Sequence, residues 1–254
     1  MTLSHDVAGD GPALLLLHSA VCDRRMWDPQ WQALIDAGYR VVRCDFQGFG
    51  ESPMPGGPYN NADDVTELMG TLGIERATLI GSSYGGRIAL ETAARRPDMI
   101  TSLVLLCAGS PDHVPSDTLR AFGAREDELL EAGDVDGAVD LNVDTFLGPE
   151  ADDAVREQVR LMQRHTFDVQ LAAVEEFAQV RVEVDLSRIT APCLAVSGGK
   201  DLPDFREIAI GLPERLSGAR HHELPWAGHL PSLERPEVVT DLLTRFLREN
   251  VRDT

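Results

Sequence analysis

The sequence predicts an α/β protein in which helices cover both faces of a mostly parallel β-sheet. Its apolar runs are continuous and do not alternate with polar residues, as in strands that are buried on both faces. Helical patterns separate the first four runs, and this alternation of strand and helix is typical of α/β folds. The runs are ALLLLHS (13–19), RVVRCDF (40–46), ATLIGS (77–82), TSLVLLCA (101–108) and CLAVSG (193–198).

The segments between and after these runs supply the predicted helices and the last strand. MWDPQWQALIDAG (26–38) and ADDVTELMGTLG (62–73) carry apolar residues at helical spacing. HHELPW (221–226) predicts a last strand, and RPEVVTDLLTRFLREN (235–250) predicts a closing helix with proline in its first turn. Only one strand fits before Pro12, and we expect about seven to eight strands in all.

A long segment interrupts the alternation of strands and helices. Residues 112–188 contain helical periods but no strand comparable to the others. We therefore predict a helical cap at 112–188, inserted after the sixth strand of a core domain formed by 1–111 and 189–254. The cap segment holds 19 acidic and 7 basic residues, which is −12 of the total net charge of −19, and this charge is typical of a solvated outer face.

Composition and charge exclude several classes of protein. A chain of 254 residues with 43% hydrophobic content can form one sizeable domain. The net charge of −19 argues against a nucleic-acid partner, whose phosphates require a basic face. No apolar run approaches the roughly 20 residues of a membrane span, and the opening MTLSHDVAGD does not resemble a secretory signal. We expect a cytoplasmic protein with a small-molecule partner, and four buried cysteines that form no metal site.

The segment LIGSSYGGRIAL (79–90) offers a candidate nucleophile. A strand that turns directly into a helix leaves one residue at the tip of a sharp, strained bend, and the residues two positions away on each side are forced together. Those positions require glycine or nearly so. Ser83 has Gly81 and Gly85 there, whereas Ser82 has isoleucine and tyrosine. Ser83 is therefore the predicted nucleophile.

A serine hydroxyl at neutral pH needs a base, and the base needs a group that orients it. His229 lies in the loop WAGHLPSLERP, just past the last predicted strand and at the same edge of the sheet as Ser83. The other histidines lie in the N-terminal segment, before the serine, in the insertion or within the last strand: His5, His18, His113, His165, His221 and His222. We predict His229 as the base.

The orienting acid follows a strand at the same edge. Asp201, in VSGGKDLPD, comes directly after the strand 193–198. Asp204 is three residues further on, and Asp112 follows the strand 101–108, so both remain alternatives. We predict Asp201 as the acid.

A tetrahedral intermediate needs hydrogen-bond donors for its oxyanion, and loss of one donor typically costs about 2.7–4 kcal/mol. We expect one donor to be the backbone N–H of Tyr84, the residue after the nucleophile. The second should come from the turn in LLLLHSAVCDRRMW, where we predict Ala20.

These motifs resemble the serine α/β-hydrolase superfamily over essentially the whole chain. The stretch from HSAVCDRRMWDPQ to GSSYGG is most similar to 3-oxoadipate enol-lactonases and related small esterases. The resemblance implies the α/β-hydrolase fold, and the order serine, aspartate, histidine is the one that this superfamily uses. It also implies that Asp45, Gly48 and Gly50 of CDFQGFGESP shape a loop near the site. One departure is His18-Ser19, where many relatives carry His-Gly.

The predicted function is hydrolysis of a small carboxylic ester or lactone through an acyl-enzyme, without a cofactor or metal. Two alternatives remain: a carbon–carbon bond hydrolase of dienoate ring-cleavage products, whose relatives usually carry Asn in place of Ser82, and a ligand-binding receptor or scaffold on a hydrolase fold.

Substrate-binding candidates come from the turn after the first long strand and from the cap. Arg24 or Arg25, just past the oxyanion turn, could hold a substrate carboxylate, although the sequence favours plain surface arginines at both positions. The complete set of candidates is Arg24, Arg25, Trp27, Phe146, Met162 and Phe167.

Overall fold

The computed structural model describes residues 3–175 and 177–251 of the chain. Its centre is a seven-stranded sheet with the strand order β1-β3-β2-β4-β5-β6-β7. All neighbouring strands are parallel except β1, which pairs antiparallel with β3. The strands are β1 (His5–Ala8), β2 (Ala13–Leu17), β3 (Arg40–Cys44), β4 (Ala77–Ser82), β5 (Ile100–Leu106), β6 (Cys193–Gly198) and β7 (Ala219–Leu224).

Helices flank this sheet, which confirms the predicted fold class. Short 3-10 turns cover Arg24–Trp27, Pro97–Met99 and Leu186–Arg188. None of the described helices is long and apolar enough to cross a membrane. The α-helices are α1 (Asp28–Asp36), α2 (Asn61–Thr71), α3 (Tyr84–Arg95), α4 (Asp117–Glu131), α5 (Val135–Phe146), α6 (Asp153–Leu171), α7 (Pro203–Arg215), α8 (Pro231–Glu234) and α9 (Pro236–Asn250).

The position of the helical insertion corrects the strand count. Helices α4, α5 and α6, the cap helices from here on, follow β5 and therefore the fifth strand, not the sixth. The prediction allowed about seven to eight strands, and the described residues form seven, with only one strand ahead of β2. The division into a core of 1–111 and 189–254 and a cap of 112–188 stays a prediction.

The sheet is buried on both faces, as its continuous apolar runs predicted. Leu14 and Leu16 of β2 belong to one apolar cluster, whereas Leu15 and Leu17 belong to another. All four side chains are fully buried. Successive side chains of a strand point to opposite faces, so a run without polar residues supplies both cores at once.

The cap helices share the core on one face of the sheet. Val139 and Val143 of α5 and Val159 of α6 are buried in the same cluster as Leu14. On the outer side, Arg160 pairs with Asp140 and Arg164 pairs with Asp136, and these side chains are largely exposed. The acidic segment therefore carries these charges on a solvated surface, where such pairs contribute little to stability.

Candidate active site

Ser83 lies at the bend between β4 and α3, in the centre of the sheet. Its φ of 51° and ψ of −111° are strained values for a residue with a side chain. A Cβ on Gly81 would lie 2.5 Å from the backbone oxygen of Gly85, and a Cβ on Gly85 would overlap the backbone oxygen of Leu17. The steric reason for choosing Ser83 over Ser82 is therefore present in the structure.

Asp201 and His229 form a buried hydrogen-bonded pair at the same edge of the sheet. Asp201 follows β6 and His229 follows β7, so parallel strands bring them together from positions 28 residues apart. The His229 Nδ1–H donates to Asp201 Oδ2 at 2.8 Å, and the backbone N–H of Leu202 donates to Asp201 Oδ1 at 2.7 Å. This tautomer leaves His229 Nε2 as a proton acceptor.

The two alternative acids have other partners. Asp204 accepts hydrogen bonds from His113 and Ser116, at the start of the cap segment. Burial acts to raise the pKa of Asp204, but these bonds prevail and lower it. Asp112 accepts from Ser110 and Arg215. Neither carboxylate bonds to His229, so of the three candidates the structure brings only Asp201 to the histidine.

Glu234 holds the histidine loop, and the sequence reasoning missed it. The backbone N–H groups of Gly228 and Leu230, on either side of His229, donate to its carboxylate at 2.9 and 3.2 Å. The N–H of His229 itself donates to the carbonyl of Phe146 at 2.8 Å, at the end of the cap helix α5. The available signal in the sequence was an acidic residue at the end of the short segment PSLE that follows His229.

The predicted oxyanion donors face the same space. Ala20 and Tyr84 line one cavity with Ser83, and neither backbone N–H donates to another group among the described residues. Nearby, His18 donates from Nδ1 to the carbonyl of Ser19 and accepts at Nε2 from the N–H of Phe46. Complete burial lowers the pKa of His18, so a neutral imidazole fixes the turn that carries Ala20.

The cavity has a volume of about 360 Å³, which suits a small molecule. Ser83 and His229 both line it, but no hydrogen bond joins their side chains in this structure. Such contacts are often long in unliganded enzymes and shorten when substrate binds. Much of the wall is aromatic and consists of Phe49, Phe122, Phe146, Phe167 and Phe205.

Two predicted substrate-binding residues lie elsewhere. Arg24 is paired with Asp6, Asp45 and Glu51 outside this cavity, and Trp27 is fully buried in the core. Both residues belong to the 3-10 helix Arg24–Trp27 that follows the turn.

The remaining candidates divide in the same way. Arg25 is paired with Asp23, and Met162 is buried in the core without lining the cavity. Phe146 and Phe167 do line it, and the Phe146 ring centroid lies 4.9 Å from that of His229.

One group of side chains has the spacing of metal ligands. The ligand atoms of Cys107, Asp201 and His229 lie within 4.8 Å of one another. Burial and the neighbouring Asp201 charge raise the pKa of the Cys107 thiol well above its usual value. A protonated thiol is a poor ligand, and the His229–Asp201 hydrogen bond already uses the same atoms. The arrangement therefore fits an acid–base pair better than a metal site.

The profile of the α/β-hydrolase family matches residues 14–242. The chain belongs to this family. An α/β-hydrolase named provisionally as the carbamate hydrolase RutD, from Rhizobium rhizogenes, is 32% identical over 87% of each chain. The pimeloyl-[acyl-carrier protein] methyl ester esterase of Aeromonas hydrophila is 28% identical and covers 97% of this chain and 100% of its own.

The structures of other α/β-hydrolases agree. The enol-lactonase from Burkholderia xenovorans LB400 superposes with a TM-score of 0.78 at 27% identity, covering 97% of this chain and 96% of its own. The predicted superfamily, its fold and the assignment of the chain as an enzyme are confirmed: it is an α/β-hydrolase.

Proposed function

We propose that this α/β-hydrolase cleaves a carboxylic ester or lactone of a small molecule, with Ser83 as nucleophile, His229 as base and Asp201 as the orienting acid. The observation that carries the proposal is the 2.8 Å hydrogen bond between His229 and Asp201 beside a cavity that Ser83 also lines. A strained serine next to such a pair is the arrangement that acyl transfer requires.

In the acylation step, Ser83 Oγ attacks the carbonyl carbon and its proton passes to His229 Nε2. Asp201 stabilises the imidazolium that forms. The backbone N–H groups of Ala20 and Tyr84 donate to the oxyanion of the tetrahedral intermediate. When this intermediate collapses, the bond to the leaving oxygen breaks, that oxygen takes the proton from His229, and the acyl group remains on Ser83.

Deacylation repeats these steps with water. His229 removes a proton from the water molecule, whose oxygen attacks the acyl carbon. The bond from the acyl carbon to Ser83 Oγ then breaks, and the proton returns from His229 to Ser83 as the acid leaves. The segment 112–188 acts as a cap in this scheme, because α4, α5 and α6 supply part of the cavity wall.

The test is hydrolysis of p-nitrophenyl esters by the wild type and by Ser83→Ala. We expect a burst of p-nitrophenol in the wild type, an acyl adduct on the peptide that contains Ser83, and a loss of roughly 10³-fold or more in kcat in the variant. The matched control is Ser82→Ala, which removes a neighbouring buried hydroxyl and should keep the burst. Unchanged turnover in Ser83→Ala would refute the proposal.

A second candidate substrate is a carbamate, favoured by the provisional name of the relative at 32% identity. The same serine would then carry a carbamoyl group, which hydrolyses more slowly because nitrogen donates electrons to the carbonyl. Mass spectrometry of the trapped enzyme separates the two cases by the mass of the group bound to Ser83.

Activity on a vinylogous diketone with none on esters would instead favour carbon–carbon bond hydrolysis. Covalent retention of the ligand without turnover would favour a receptor.

A further inference from the structure

The cap side of the cavity carries a cluster of polar side chains. Glu126 of α4, Asn142 of α5, and Gln163 and Thr166 of α6 all line it. Asn142, Gln163 and Thr166 are 1%, 3% and 2% exposed. Polar groups this deeply buried normally have hydrogen-bond partners, so the partners of each can be counted.

Asn142 and Thr166 use their side-chain donors within the protein, whereas the Gln163 amide donates to no described residue and acceptor oxygens in the cluster are left over. Asn142 Nδ2 donates to Glu126 and to the carbonyl of Ala138, and the Thr166 hydroxyl donates to the carbonyl of Met162. Gln163 Oε1 is buried and accepts from no described residue. An amide oxygen has two lone pairs and a carboxylate about four sites, so these cavity-lining residues have unused acceptor capacity.

The charge of Glu126 points to the same kind of ligand. Burial raises the pKa of Glu126, and the charge of the neighbouring Asp127 raises it further. The hydrogen bond from Asn142 offsets this rise only in part. A half-buried carboxylate with one donor and a buried amide oxygen with none both carry a desolvation cost. A ligand that brings a donor to this end of the cavity would relieve both.

We infer that the cluster is a substrate subsite for a hydrogen-bond donor, a hydroxyl or a protonated amine, which binds Gln163 Oε1 and the Glu126 carboxylate. The substrate class is then a hydroxy- or amino-substituted ester or lactone. This inference rests on the proposed function, because it assigns the part of the substrate that lies away from Ser83.

Arg87 supplies the competing hypothesis. It lines the same cavity, has no ion pair among the described residues, and its charge opposes the rise that burial gives to the pKa of the Tyr84 hydroxyl. If Arg87 governed specificity, the preferred substrate would carry a carboxylate instead of a donor. The two hypotheses predict opposite results with matched esters.

The experiment uses esters of one size that differ in a single terminal group: methyl, hydroxyl, primary amine or carboxylate. We measure kcat/KM with the wild type, and the Kd of each intact ester with Ser83→Ala. We expect the hydroxyl or amine to be preferred over methyl by about 10–100-fold in both measurements, which is the range for one or two buried hydrogen bonds. Equal values for donor and methyl esters, or a preference for the carboxylate that Arg87→Met removes, would overturn the inference.

Substitutions assign the preference to the cluster. Gln163→Leu should remove most of the donor preference, and Gln163→Met repeats the test with an unbranched side chain should the first variant fold poorly. Glu126→Gln should lower the amine preference more than the hydroxyl preference, which separates the two kinds of donor. The matched control is Gln170→Leu on the same helix and cavity, whose amide donates to Gly48 and which should keep the donor preference.

The two proposals fail in different ways. A donor preference that survives Gln163→Leu and Gln163→Met would overturn the inference while ester hydrolysis stands. Conversely, Ser83→Ala that turns over esters at the wild-type rate would refute the proposed function, and the kcat/KM ratio of donor to methyl esters would still decide whether the subsite recognises a donor.

Discussion

The strand ends around Ser83 and the cap helices differ in how much space the surrounding backbone leaves beside their glycines. A Cβ on Gly85 would overlap the backbone oxygen of Leu17, and one on Gly198 would overlap that of Gly228. In the cap helix α4, a Cβ on Gly123 would meet nothing within 4 Å. The proposed chemistry therefore depends on closely packed backbone segments that tolerate no added Cβ. The proposed specificity depends on cap side chains that can be substituted without a backbone clash.

The largest expected effect is on the buried pair at the strand ends. Asp201→Asn should lower kcat by roughly 10³–10⁴-fold, because the amide stabilises the wrong histidine tautomer and cannot balance an imidazolium. Steady-state hydrolysis of a p-nitrophenyl ester measures this loss. Asp112→Asn is the matched control, since Asp112 bonds to Ser110 and Arg215 instead of His229, and it should stay within about threefold of wild type. Equal losses in both variants would contradict the assignment.

Glycine substitutions test the comparison directly through stability. Gly85→Ala should destabilise the fold by roughly 3 kcal/mol or more, since the clash is with backbone and cannot be relieved by a rotamer change. Gly123→Ala should instead stabilise by about 0.5–1 kcal/mol, because alanine is the better helix former in open space. Urea unfolding of both variants gives the two values. Similar destabilisation at the two positions would remove the distinction between the regions.

Glu234 joins the two regions and should give an intermediate effect. Glu234→Gln leaves one acceptor oxygen for the N–H groups of Gly228 and Leu230, so the His229 loop should loosen and kcat should fall by roughly 3–30-fold, as expected for one weakened charge-assisted bond. Glu237→Gln, on the exposed face of α9, is the control. An unchanged kcat in Glu234→Gln would show that the hydrogen bond from the His229 N–H to the Phe146 carbonyl suffices to hold the loop.

The smallest effect concerns Glu126 and depends on pH. Burial raises its pKa in the folded state, so the native state binds more protons than the unfolded state and stability falls as pH rises through the window between the two pKa values. Glu126→Gln removes this loss of stability at higher pH and should raise Tm at pH 7 by on the order of 2 °C. The gain should vanish below a pH of about 4, where the unfolded carboxyl is protonated too. Calorimetry at both pH values measures it, and a lower Tm at pH 7 would contradict the argument.

The elements that the sequence predicted well are those with a local cause. The continuous apolar runs became buried strands, and the spacing around Ser83 marked the bend because two glycines are needed wherever a strand turns so sharply into a helix. The strand number of the cap insertion was wrong by one, although the single strand before Pro12 and the four apolar runs before residue 112 already add up to five.

The cap and the substrate candidates were harder to predict. Helical periodicity gave α4, α5 and α6 but not which side chains reach the cavity: Phe146 does, whereas Met162 is enclosed in the core. Arg24 was misplaced because its proximity in sequence to Ala20 says nothing about the carboxylates of Asp6, Asp45 and Glu51 that fold around it. Glu234 was missed because its partners are backbone groups.

By itself, the sequence determined the α/β architecture, the family and the order of Ser83, Asp201 and His229 along the chain. Those features follow from the period of buried strands and from steric rules that act over a few residues. Only the tertiary structure decided that Asp201 and not Asp204 meets His229, and that Gln163 lines the cavity with an amide oxygen that is buried and has no described partner. Such pairings join distant segments, and their geometry is set by how helices pack on the sheet.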